Sequence, residues 1–326
     1  MGNKSGEKPM EFGKESKTNI MKFQKDLLGI KQLDADQIQY ILKTAESMKK
    51  IIFSESKKAP QLAGKSVMTM FYENSTRTRT SFELAAKYLS ATASNMAVSS
   101  SSVKKGETLI DTTRTINMMG TDCIVIRHEN AGAPHLVAQN VDATVINAGD
   151  GMNEHPTQAL LDFFTMQEQM GSVEGKKVAI IGDVYHSRVA RSDAYGLLKL
   201  GAEVVMAGPR TLLPNDLESL GVKMYTDVDK AIKDADVVMP LRLQLERQKN
   251  CFFPSGYEYA KYFGVNEERM KLAKKDALIM HPGPVNRGLE LQSSLYAPDK
   301  SVIDRQVTNG VAVRMAVLHL FINRNL

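Results

Sequence analysis

The sequence predicts an α/β protein: two doubly wound parallel-sheet domains joined by helices. Short apolar runs alternate with stretches of helical apolar spacing almost from end to end. These runs are continuously apolar, as strands covered on both faces require. One series of strands stops near Asn147 and a second starts near Lys177, with a long helix pattern from His155 between them.

In chain order, "LDADQIQYILKTAESMKKII" has helical spacing, with Asp34 or Asp36 placed to cap it. Strands are predicted over 66–72, 93–99, 123–127 and 144–147, and helices over 77–89, 107–119 and 133–139. The joining helix spans 155–169. In the second series, "KKVAIIGD" is a strand, and "RVARSDAYGLLKLG" is a helix stopped at Gly201. "AEVVMAG", "VKMYT", "DVVMPL" and "ALIMHP" are further strands, and "DVDKAIKDA" is a short helix. The apolar helical pattern "TNGVAVRMAVLHLFIN" closes the chain. Residues 1–18 are polar and charged and read as a disordered tail.

With 326 residues, 43% hydrophobic and 24% charged, the chain can bury a core in each half. A net charge of +5 does not call for a polyanionic partner, and a few arginines in a cleft would account for it. Basic residues are dispersed with no aromatic-rich basic module, which disfavours nucleic acid. No apolar run reaches the roughly 18 residues of a membrane span, and no signal peptide is visible. The two cysteines, Cys123 and Cys251, form neither a disulfide framework nor a zinc pattern. Cys123 reads as a buried small hydrophobe. A cytoplasmic location fits best. There is no G-x-x-x-x-G-K-[ST], H-E-x-x-H or G-x-S-x-G.

Ligands of open parallel sheets sit beyond the carboxyl ends of the strands. There "ENSTRTRT" places hydroxyls and arginines at the start of a helix. Ser75 can cap that helix, leaving the N–H groups of Thr76, Arg77 and Thr78 to meet an anion. The Arg77 fork suits phosphate oxygens. The plainer reading is a capped helix with exposed arginines. "SSSSVKKGETLIDT" is either a polar linker or a mobile lid. Arg127 and His128 end a strand, and either touch a ligand or face solvent. His155 and Gln158 share a helix face and could donate hydrogen bonds to a carbonyl oxygen. Arg188 falls in the first turn of a helix. Arg242 and Gln244 lie on one side of an extended segment, and Pro282 and Pro284 stiffen the loop "HPGPVNRG".

Taken together, "FYENSTRTR", "KKGETL", "IRH", "HPTQALLD", "GD…R", "RLQLER" and "HPGPVNRG" resemble, in order and spacing, the catalytic chains of the aspartate carbamoyltransferase family. The likeness runs from about Asn19 to the C terminus. It implies transfer of a carbamoyl group from carbamoyl phosphate to L-aspartate, the committed step of de novo pyrimidine biosynthesis, without metal or cofactor. It places the active site in an interdomain cleft and at the subunit interface of a homotrimer. By this resemblance, Ser75, Thr76, Arg77 and Thr78 hold the phosphate. Thr78, Arg127 and His155 reach the carbonyl oxygen, and Gln158 the amide nitrogen. Pro282 and Gly283 offer backbone carbonyls. Ser101 and Lys105 enter from a neighbouring subunit. Arg188, Arg242 and Gln244 bind the aspartate carboxylates. Glu73 is the interdomain acid, pairing with Arg188 and Arg247. The implied domains are 19–156 plus 309–326 for carbamoyl phosphate, and 157–308 for aspartate.

The sequence departs from the family pattern at Tyr72, Asn74 and Gly283. Gly283 stands where some members have leucine, which predicts a looser loop. A regulatory chain or a dihydroorotase partner is left open. The nearest rival, an ornithine carbamoyltransferase, would carry an S-M-G stretch and an H-C-L-P loop; here the loop is His281-Pro282-Gly283-Pro284. A non-catalytic anion-binding protein on the same fold is the rival from another class.

Overall fold

The computed structural model describes residues 21–96, 106–243 and 255–324. The predicted tail therefore lies outside the described residues, as do Ser101, Lys105, Gln244, Arg247 and Cys251.

The first sheet contains β1 (Ser66–Phe71), β2 (Thr92–Met96), β3 (Cys123–His128) and β4 (Thr144–Asp150), all parallel, in the order β2-β1-β3-β4. The second contains β5 (Lys177–Ile181), β6 (Glu203–Ala207), β7 (Lys223–Tyr225), β8 (Val237–Pro240) and β9 (Leu278–Ile279), also parallel, in the order β7-β6-β5-β8-β9. The continuous apolar run of β8 suits its place inside the second sheet, where every residue is buried, and β4, at the end of the first sheet, is buried throughout as well.

Three helices follow strands of the first sheet: α2 (Thr76–Tyr88), α3 (Leu109–Met118) and α4 (Ala133–Ala138). Before them, α1 (Ala35–Ile52) begins with a capping box: Asp34 accepts from the Gln37 N–H, and the Gln37 side chain accepts from the Asp34 N–H. The joining helix α5 (Pro156–Met170) starts with proline in its first turn and is buried through Met166. In the second half, α6 (Arg188–Lys199) is capped by Ser187 and is followed by Gly201 at φ +79°. α7 (Val228–Ile232), α8 (Gly256–Phe263) and α9 (Glu267–Met270) complete that half. The last two carried no sequence prediction.

The final helix, α10 (Ile303–Ile322), returns to pack against α1, α2 and α5, while α5 also packs on α6. One apolar cluster, including Leu27, Phe82, Phe163, Leu197 and Phe321, runs beneath both sheets through these helices. A second cluster lies on the other face of the second sheet, around Val205, Val238 and Ile279. Cys123 is fully buried, and desolvation pushes its thiol pKa up. No helix among the described residues is long and apolar enough to cross a membrane.

Both strand orders reverse direction once. In the first sheet the reversal falls between β1 and β3, and in the second between β5 and β8. Those are the switch points where a crevice opens at the carboxyl ends of the strands.

Candidate active site

The loops at the two switch points line one cleft of roughly 1470 Å³. β1 leads into Glu73–Thr78, and Arg127 is the penultimate residue of β3. β5 leads to Ser187 and Arg188, β8 to Arg242, and β9 to His281–Pro284. The start of α5 adds His155 and Gln158 from between the sheets. All predicted site residues that fall among the described residues therefore line the same cavity. Among the described residues, six arginines (Arg77, Arg127, Arg188, Arg191, Arg242, Arg314) face it with two carboxylates, Glu73 and Glu129. This balance favours an anionic ligand.

Ser75 occupies the N-cap of α2 with extended backbone, but its side chain accepts no capping hydrogen bond. The sequence reading had it capping the helix; instead its hydroxyl is left for the cleft, and the first-turn N–H groups of α2 gain no side-chain acceptor from it. Such a helix start favours an anion. Burial lowers the pKa of Arg77, with Arg242 adding like-charge repulsion. Gly283, at φ +66°, lies so close that a Cβ there would stand 1.8 Å from Arg77 Nη1. The glycine thus lets the loop after β9 meet the arginine after β1. The Gly283 N–H also donates to His281 Nδ1 at 2.7 Å.

Glu73 bridges the two sheets. It accepts from Arg188 Nη1 and Nη2 at 2.9 and 2.8 Å, and from Arg127 Nη2 at 2.9 Å. Of its two predicted partners, Arg188 is present and Arg247 lies outside the described residues; Arg127 is a partner the sequence reading missed. Gly149, at φ +117°, leaves room for the Arg188 guanidinium, because a Cβ there would stand 2.9 Å from it. His128 packs its ring on Tyr72 at 4.8 Å instead of lining the cleft, which separates it from its neighbour Arg127.

His155 is held by its backbone. Its N–H donates to Ser192 Oγ at 2.9 Å, and that hydroxyl donates to Glu154 at 3.0 Å. Glu154 also accepts from the Ile30 N–H at 2.7 Å. Burial, then the nearby Arg127, Arg188 and Arg314, hold the imidazole pKa well below its ordinary value, so the ring is neutral at pH 7. Its Nδ1 has no hydrogen-bond partner among the described residues.

Behind the cleft, Asp162 accepts from Gln158 Nε2 at 3.1 Å and from Gln306 Nε2 at 2.6 Å. Gln306 Oε1 in turn accepts from the His281 N–H at 2.9 Å. Burial pushes the Asp162 pKa up to about 7, opposed by those two amides and by Arg314. Asp193 is also fully buried, neither of its oxygens has a hydrogen-bond partner among the described residues, and its pKa is raised by burial and by Asp162. Of these two buried carboxylates, Asp162 is the one that holds hydrogen-bond donors.

Sequence reasoning missed Arg314 and Gln306, which α10 brings to the cleft from the far end of the chain. Arg314 is 4% exposed, lies 5.3 Å from the Phe82 ring centroid, and has its pKa lowered to about 10 by burial. The available signal was a polar residue inside the apolar run "TNGVAVRMAVLHLFIN", since a buried charge needs a reason to be there.

Residues 25–168 match the family model for the aspartate/ornithine carbamoyltransferase carbamoyl-P binding domain, and residues 174–321 match the Asp/Orn binding domain. An aspartate carbamoyltransferase catalytic subunit from Acetivibrio thermocellus is 66% identical over 92% of this chain and 96% of its own length. The crystal structure of aspartate transcarbamoylase from Trypanosoma cruzi in complex with carbamoyl phosphate and aspartate superposes with a TM-score of 0.81. It is 30% identical and covers 90% of this chain and 94% of that one. Ornithine carbamoyltransferase from Pyrococcus furiosus gives a TM-score of 0.80 at 32% identity, covering 90% and 95%.

Proposed function

Because the chain belongs to the aspartate/ornithine carbamoyltransferase family, we propose that it transfers the carbamoyl group of carbamoyl phosphate to the amino group of L-aspartate. The products are N-carbamoyl-L-aspartate and phosphate. The observation that carries this reading is the single arginine-rich cleft that both switch points line. Likeness to both aspartate and ornithine enzymes of known structure leaves the acceptor to other evidence. Identity to the A. thermocellus chain favours aspartate. So does the cleft, where Arg188 and Arg242 suit carboxylates better than an ornithine ammonium.

In this reading the phosphate lies on the start of α2, held by Ser75, Thr76, Arg77 and Thr78, and Arg314 adds charge from α10. The carbamoyl oxygen meets Thr78, Arg127 and His155. The amine of aspartate attacks the carbamoyl carbon, negative charge grows on that oxygen, and the carbon–oxygen bond to phosphate breaks. Donors fixed beforehand stabilise that charge, each worth about 2.7–4 kcal/mol. A neutral His155 gives one N–H and has no proton to deliver as an acid. The departing phosphate takes the amine's proton. Arg188, Arg242 and Gln244 hold the aspartate carboxylates, and Pro282 and Gly283 offer carbonyls to the carbamoyl and amino nitrogens. Residues 19–156 with 309–326 form the carbamoyl-phosphate unit, and 157–308 the aspartate unit.

The enzyme works in the cytoplasm as a homotrimer with shared sites, Ser101 and Lys105 entering from a neighbour. The deciding measurement is product formation from carbamoyl phosphate with aspartate or ornithine as the only acceptor. Turnover with aspartate alone is expected, and turnover with ornithine alone overturns the acceptor. For the shared site, inactive Arg77→Ala and Lys105→Ala chains regain activity when mixed and exchanged. Proven exchange without rescue rules sharing out.

A further inference from the structure

Gln158 lines the cleft, but its amide could present either end to a ligand. A hydrogen-bond acceptor there suits the NH2 of a carbamoyl group, and a donor repels it. The choice is made behind the cleft. Gln158 Nε2 lies 3.1 and 3.3 Å from the two oxygens of Asp162, one helical turn further along α5. Asp162 also accepts from Gln306 Nε2 at 2.6 Å, so the carboxylate takes two amide donors and offers none. The other end of Gln306 accepts from the His281 N–H, and His281 Nδ1 accepts from the Gly283 N–H. One buried carboxylate thus fixes the orientation of two amides, one facing the cleft and one holding the loop that closes it.

We infer that Asp162 is the positioning residue for carbamoyl recognition: it takes the NH2 end of Gln158 so that Oε1 faces the carbamoyl NH2, and through Gln306 it ties this to the His281–Gly283 loop. Arg314 supplies the positive charge that favours an ionised Asp162. Neither oxygen of neighbouring Asp193 has a hydrogen-bond partner among the described residues, so it takes neither donor from Asp162. The inference rests on the carbamoyl-phosphate reading of the site.

The test compares carbamoyl phosphate with acetyl phosphate, which has a methyl in place of the NH2, by calorimetric binding. The wild-type protein prefers carbamoyl phosphate. In Asp162→Leu neither amide has an acceptor behind the cleft, and nothing holds the NH2 end of Gln158 away from the ligand. Carbamoyl phosphate then binds about 10- to 100-fold more weakly, while acetyl phosphate changes less than about threefold. Gln158→Glu alone sets two carboxylates side by side and also weakens binding. Adding Asp162→Asn to it restores the preference, because a carboxylate at 158 accepts from both sides. This rescue is read against Gln158→Glu, so it stands even if Asp162→Leu folds poorly. Equal weakening of both ligands, or no rescue in the double variant, overturns the positioning role. Failure of the wild-type protein to bind carbamoyl phosphate at all would instead overturn the proposed function.

Discussion

The two sides of the cleft treat charge in opposite ways. On one, Glu73 pairs with both Arg127 and Arg188 and spans the sheets with bonds of 2.8–2.9 Å. On the other, Arg77 and Arg314 form no ion pair among the described residues, although burial lowers the pKa of both. An unpaired cation costs stability where it is buried, as Arg314 is, whereas a paired one holds elements in place. The paired side therefore fixes how the sheets meet, and the unpaired side keeps charge available for an anion.

Arg77→Ala should give the largest effect. On the unpaired side it should lower kcat/KM for carbamoyl phosphate by about 2.7–4 kcal/mol, while the thermal midpoint holds or rises. Steady-state kinetics with calorimetry checks both; a midpoint lower by several degrees would mean that Arg77 holds the fold. Glu73→Gln should show the reverse balance. It leaves two guanidiniums facing each other and should cost about 1–2 kcal/mol in urea unfolding, reduced because the carboxylate is partly solvated. Its kcat/KM falls less than that of Arg77→Ala, through a displaced Arg127.

Gly283→Ala joins the two sides. A side chain at positive φ costs about 1–2 kcal/mol, and here the Cβ would also displace Arg77. Its effect on the KM for carbamoyl phosphate should vanish in an Arg77→Ala background, a double-mutant cycle that separates the contact from the backbone strain.

The smallest effect concerns the carboxylates behind the cleft, where donor-bound Asp162 and partnerless Asp193 repeat the contrast. The folded-state pKa of Asp193 is raised, so the native protein holds a proton that the unfolded chain releases above about pH 3.9. Stability therefore falls as pH rises from about 4 through the folded value. Asp193→Asn should flatten that decline between pH 5 and 8 in urea titrations, gaining most on the wild type at the alkaline end. Parallel curves would place the burden elsewhere.

Local chemistry carried much of this into the sequence. Strand positions were most legible where both faces are buried and the apolar run is unbroken, as in β8, whereas β2 and β7 bury no residue fully. The residues of Glu73–Thr78, His155–Gln158 and Arg188 were legible because each is a contiguous loop-to-helix segment with its own donors. The capping role expected of Ser75 was not borne out, since the residue sits at the N-cap without the hydrogen bond. α8 and α9 went unseen because their short patterns leave little buried face to read; α8 buries only Tyr259 and α9 no residue at all.

By itself, the sequence determined the alternation of strands and helices, the loops that carry hydroxyls and arginines, and the family. Only the tertiary structure decided that Arg127 shares Glu73 with Arg188, that Gly283 touches Arg77, and that α10 returns Gln306 and Arg314 to a site begun more than two hundred residues earlier. Periodicity and capping are local and leave a trace in neighbouring residues. Contacts between distant segments depend on where two sheets reverse their strand order, and no short stretch of sequence records that.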